Sequence, residues 1–151
     1  MTTWVALVRG INVGKARRVA MADLRSLVED AGYTDVRTLL NSGNVVFRGP
    51  RSRAAQVAAR VEQALETKVG FHAHVVVLDA AAIDTVVREQ TLTPADNPSR
   101  LLVAFVQDVT SLTAIGDLAA RDWSPEALAV GSQAAYVWMP EGVLDSVLFE
   151  A

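Results

Sequence analysis

The sequence predicts an α+β fold: one complete βαββαβ unit, then a second that stops at βαββ plus a short C-terminal helix. Three observations carry this. Apolar spacing switches between a period of two and a period of 3.6 in the order β-α-β-β-α-β within the first 78 residues. The pattern restarts after a proline-containing loop at Thr91–Arg100. Strand segments in both halves are apolar on both faces, so each sheet needs cover on two sides.

The first element is Thr3–Arg9, rich in β-formers and stopped by Gly10. After the loop Gly10–Ala20, Met21, Leu24, Leu27, Val28 and Ala31 recur at helical spacing, and Gly32 stands where a helix C-terminus favours glycine. Val36–Leu40 and Asn44–Arg48 form a hairpin around Asn41-Ser42-Gly43, with Gly43 free to take positive φ. Ser52 is the expected N-cap of a second helix with the stripe Val57, Ala58, Val61 and Leu65, ending before Gly70. Ala73–Leu78 closes the unit as a fourth strand. This order is the split βαβ arrangement of the ferredoxin-like fold.

A third helix is expected with Asp79 as N-cap and Ile83, Val86 and Val87 inward, followed by the loop with Pro94 and Pro98. Beyond it come strand Leu101–Gln107 and helix Thr110–Ala120, with Leu112, Ile115 and Leu118 inward. Strands Ala127–Val130 and Ala134–Met139 follow, joined at Gly131-Ser132. Leu144–Ala151 supplies the start of a last helix and no final strand remains. The expected organisation is a ferredoxin-like unit over 1–78, a connecting helix and loop over 79–100, and a partial second unit over 101–151. Trp4, Ala6 and Val8 alternate with Val5 and Leu7, and Leu101, Val103 and Phe105 with Leu102, Ala104 and Val106. Cover for the second face must come from the other half of the chain or from a second copy in a homodimer.

Composition excludes several classes of function. With 151 residues, 51% of them hydrophobic and 21% charged, the chain is long enough to bury a core. Zero cysteines exclude disulfides, thiolate metal sites and a cysteine nucleophile, and fit a reducing compartment. No apolar run approaches the roughly 18 residues that span a bilayer, and the N-terminus lacks a signal-peptide pattern. The expected location is the cytoplasm, without membrane contact.

The net charge of −3 is unevenly distributed. Residues 1–50 carry seven cations against four carboxylates, +3, and the remainder carries −6. In the βαββαβ topology the loop after the first strand, the hairpin turn and the connection before the fourth strand open on one edge of the sheet. That edge gathers Arg9, Asn12, Lys15, Arg17 and Arg18, then Asn41, Ser42 and Asn44, then Lys68 and His72. Backbone N–H groups around Gly10, Gly14 and Gly43 add to them. Cationic, amide and hydroxyl groups suit a small anionic ligand such as a phosphate. The expected contacts are Arg9, Gly10, Asn12, Lys15, Arg17, Arg18, Ser42, Gly43 and Asn44. Asn12, Ser42 and Asn44 have a competing role as hydrogen-bond partners of the loop backbone. No carboxylate is expected at this edge, so no acid–base pair, catalytic residue or cofactor is assigned.

Other patterns are weaker. Gly10-Ile-Asn-Val-Gly14-Lys15-Ala16 has the outline of a phosphate-binding loop, but its glycines stand one residue too close and no hydroxyl residue follows the lysine. His72-Ala73-His74 puts two imidazoles on one face, yet three protein ligands are usual and the sequence identifies no third, so no metal is expected. Ser42 has no base beside it in sequence. Val45–Phe47 offers a single aromatic where an RNA-recognition module stacks several, so specific nucleic-acid binding is not expected.

Val5–Val13 (VALVRGINV), Met21–Leu24, Asp35–Thr38 and Asn41–Phe47 (NSGNVVF) together resemble domain-of-unknown-function family 1697, a group of uncharacterised bacterial proteins. Asn97–Arg100 before an apolar strand and Tyr136–Gly142 (YVWMPEG) extend the resemblance over most of the chain. It implies paired ferredoxin-like halves and no established activity. The chain departs from the pattern at Lys15, where a second glycine is usual, and at Ser146-Val147-Leu148, where Ser-Lys-Leu is common. It also reads as lacking the family's C-terminal helix and the Arg-Asn-Trp-Asn-like segment. Three functional classes follow: a non-enzymatic anion-binding domain, a small enzyme acting on a phosphorylated metabolite, and an interaction or scaffold protein acting through dimerisation.

Overall fold

The computed structural model describes residues 1–93 and 97–150, with the side chain of Glu150 left out; Pro94 lies outside the described residues. The chain is α+β, with two antiparallel sheets and two compact units, Met1–Ile83 and Asp84–Ala151.

The first unit runs β1 (Thr2–Val8), α1 (Met21–Asp30), β2 (Thr34–Leu39), β3 (Asn44–Gly49), α2 (Ala54–Val69) and β4 (Val75–Asp79). Its sheet order is β2-β3-β1-β4. Register explains the core. Trp4 pairs with Phe47, Ala6 with Val45 and Val77, and Val8 with Val75, so these side chains share one face. They pack with Leu24, Leu27 and Val28 of α1 and Val57, Val61 and Leu65 of α2. Each such buried aliphatic side chain contributes on the order of 1.5–3 kcal/mol. On the opposite face Val5, Leu7 and Val46 are half-buried and Leu78 is buried.

Chain termini follow local chemistry. Gly32 sits at φ +101 and donates to the Glu29 carbonyl, and Gly70 at φ +80 donates to Glu66, so each closes its helix in the left-handed conformation. The expected cap Ser52 is not one. α2 starts two residues later, with Arg53 at the cap position and no side-chain cap bond, while the Ser52 hydroxyl donates to Gln56 Oε1. β2 starts earlier than expected because Asp35, at φ +51, makes a bulge between Thr34 and Arg37 that carries pairing with β3 back to Thr34.

The second unit takes in the end of α3 (Ala80–Glu89), then β5 (Leu101–Phe105), α4 (Leu112–Ala119), β6 (Ala127–Val130), β7 (Ala134–Trp138) and the short α5 (Val147–Glu150). Asp79 caps α3 as expected, accepting from the Ala82 N–H at 2.8 Å. Val86 faces inward, but Val87 is 69% exposed: at 100° per residue, neighbours cannot share a narrow apolar stripe. The sheet order is β5-β7-β6. One face packs Tyr136, Ala134, Val103 and Ala129 against Val86 of α3. The other joins Val137 and Leu128 to Met139, Leu148 and Trp123. Both faces of this sheet thus have apolar contacts within its own unit, while β5 and β6 stay half-buried and Leu102 is 36% exposed.

Candidate functional site

The loop between β1 and α1 turns back on itself through three left-handed residues, Gly10, Asn12 and Gly14, with Arg17 a fourth. Asparagine tolerates that conformation better than other residues with a side chain. Asn12 also holds the loop closed. Its Oδ1 accepts from the Val19 N–H at 2.8 Å, and its Nδ2 donates to the carbonyls of Val19 and Asn41, both at 2.8 Å. The second of these stitches the loop to the β2–β3 turn. Gly43 completes the junction: its carbonyl accepts from Val8 N–H at 3.0 Å, and a Cβ on it would stand 3.0 Å from both Val8 Cβ and Ile11 Cδ1.

The connection before β4 reaches the same edge. Arg9 N–H donates to the His74 carbonyl at 2.9 Å. The Arg17 guanidinium donates to the His72 carbonyl and lies 4.8 Å from the Phe71 ring centroid, a cation–π stack. The three connections therefore converge, as the topology requires.

The expected ligand contacts divide into two sets. Asn12, Ser42 and Asn44 use their polar groups within the loops, Asn44 Nδ2 donating to the Leu39 carbonyl and to Ser42 Oγ. Gly43 is buried against β1. Arg17 is held on Phe71 and His72, and Arg18 donates to the Gly14 carbonyl at 3.2 Å. Arg9 and Lys15 are exposed, and nothing lies within 4 Å of a Cβ built on Gly10 or Gly14.

Two residues were missed by sequence reasoning. Glu62 and Glu66, one turn apart on α2, bring carboxylates to an edge expected to have none. Glu66 Oε2 stands 3.5 Å from His72 Nδ1, and Glu62 Oε1 stands 4.0 Å from His74 Nδ1. The available signal was the glutamate pair at i and i+4, just beside the apolar positions Val61 and Leu65, followed within ten residues by His-x-His.

A family model described as "Protein of unknown function (DUF1697)" matches residues 1–136. The chain belongs to that family. This DUF1697 protein is also similar to a solved structure, that of the conserved bacterial protein SP0830 from Streptococcus pneumoniae. The two are 23% identical, the match covers 99% of this chain and 84% of the other, and the TM-score is 0.80. That likeness is one of fold. No curated protein matches the chain. Among the described residues, no helix is long and apolar enough to cross a membrane.

Proposed function

We propose that this protein is a non-enzymatic binding domain that takes a small anion of the phosphate type on the loop between β1 and α1. Arg9 and Lys15 supply the charge, with Arg18 beside them, and the N–H groups around Gly10 and Gly14 supply directed donors. One observation carries the reading: the loop is locked by Asn12 in a left-handed turn whose glycines are open to solvent while two cations beside them are exposed. A rigid loop binds with less ordering cost than a mobile one. On this reading Asn12, Ser42, Gly43 and Asn44 are scaffold, and Arg17 fixes the neighbouring connection.

The same reading takes the chain as a complete ferredoxin-like unit followed by an incomplete one. The β2-β3-β1-β4 order supports the first, and the β-α-β-β succession from β5 to β7 supports the second. The absence of cysteine supports a cytoplasmic setting.

The test is a titration of the full chain with inorganic phosphate, followed by amide NMR. Saturable shifts at Gly10, Gly14 and Lys15 are expected, and Lys15→Ala weakens binding roughly tenfold, the worth of a charge-assisted hydrogen bond. Amides that stay still to saturating phosphate sink the proposal.

A further inference from the structure

His72 and His74 flank Ala73, which is 2% exposed, so burial of the alanine turns both imidazoles outward. Their ring centroids are 4.8 Å apart in an edge-to-face arrangement. Glu62 approaches them from α2. Its carboxylate is held rather than loose, because Oε1 accepts from the Val75 N–H at 2.8 Å, one residue past His74. One ligand atom from each of Glu62, His72 and His74 lies within 4.8 Å of the others. Glu66 adds a second carboxylate beside His72.

We propose that Glu62, His72 and His74 bind a divalent transition-metal ion, with Glu66 orienting the His72 ring. The site adjoins the anion loop, whose Arg17 and Arg9 hold the His72 and His74 carbonyls, but none of its ligands is a residue assigned to the anion, so either site can fail without the other.

The donor set selects the class of ion. Two imidazoles and one carboxylate suit zinc, nickel or copper, whereas magnesium and calcium take oxygen ligands almost entirely. Ligand atoms about 2.0–2.2 Å from a tetrahedral ion stand roughly 3.3–3.6 Å from one another, so the cluster must tighten by up to about 1.5 Å. The histidines have room to do so, with side chains 48% and 57% exposed, while the 19% exposed Glu62 serves as the fixed point. Glu66 is placed to hold an imidazole nitrogen in the way carboxylates orient metal-bound histidines. Three protein ligands leave a coordination position open to solvent or to a ligand.

The experiment is calorimetric titration of chelator-stripped full-length chain with zinc chloride, beside NMR of the histidine ring protons. One saturable site is expected, with ring signals of both His72 and His74 perturbed and no competition from magnesium. Glu62→Gln keeps an oxygen for the Val75 N–H, and a circular-dichroism melt of the apo variant checks its folding. Both it and His74→Gln weaken zinc binding by more than roughly tenfold, the loss that even outer partners of metal ligands cause. Absence of saturable binding below about 0.1 mM zinc overturns the proposal. So does an affinity that survives the His72→Asn, His74→Asn double substitution, or zinc that leaves the two rings unperturbed in the parent chain.

Discussion

The hydroxyl of Tyr136 on β7 donates a hydrogen bond to the backbone carbonyl of Val86, fifty positions earlier in the chain. Val86 lies in the last turn of α3, where carbonyls have no partner further along the helix. A buried phenol thus satisfies a helix end and fixes α3 on the sheet. Tyr136→Phe leaves that carbonyl buried and unpaired and is expected to cost about 1–3 kcal/mol in urea denaturation.

The same residue sets an alkaline limit. Burial, and then the Glu89 carboxylate, push the Tyr136 phenol above its ordinary value of 10.0. The folded chain keeps a proton that the unfolded chain loses, so this contribution is intact below about pH 10 and is lost as pH rises through the folded-state value. Stability measured between about pH 9 and 11 should fall, and Tyr136→Phe should remove that part of the slope.

The acid limb has the opposite sign. The Ser132 N–H, at 2.8 Å, and then the Ser132 hydroxyl hold the Glu89 carboxylate below its ordinary 4.5. Its contribution is present above the unfolded value and disappears as pH falls through the folded one. Glu89→Gln should flatten the pH dependence of unfolding below about pH 5, read by fluorescence of the tryptophans.

Glycine positions separate space from backbone strain. A Cβ at Gly49 would stand 2.5 Å from Tyr33 Cδ1, inside the core. Gly49→Ala is expected to cost about 1–3 kcal/mol by overpacking. At Gly10 nothing lies within 4 Å, and only the φ of +70 opposes a side chain. Gly10→Ala should cost about 1–2 kcal/mol, and thermal melts of the two variants should rank them in that order.

Asn12→Ala removes three hydrogen bonds that hold the first loop. The expected loss is about 2–3 kcal/mol, with faster amide exchange at Val19. Arg9→Ala, at an exposed side chain, should leave stability within about 0.5 kcal/mol.

Elements with strong periodicity were legible in the sequence. Leu24, Leu27 and Val28 announce α1, and Gly70 marks the end of α2 because αL geometry is costly for other residues. Ser52 misled because capping preference is local, while the start of α2 was fixed by where Val57 and Val61 had to pack. The convergence of three connections on one edge followed from topology alone. What could not be read was which polar groups the loops would use for themselves. Asn12 carries the same amide whether it binds a ligand or Val19. Glu62 was hidden for a different reason: the glutamate spacing and the His-x-His run stand in the sequence, but whether Glu62 meets His74 depends on how α2 lies on β4, a tertiary fact.

The bulge at Asp35 has a consequence for assembly. β2 is an outer strand of its sheet, and an outer strand with regular pairing groups invites another chain to add to it. Here the ladder is interrupted between Thr34 and Arg37, and the exposed Asp35 and Arg37 place opposite charges along the margin. A second chain docking on the outer side would meet a strand bent by the bulge and charges to desolvate. The irregularity therefore disfavours sheet extension and edge-to-edge aggregation at this part of β2.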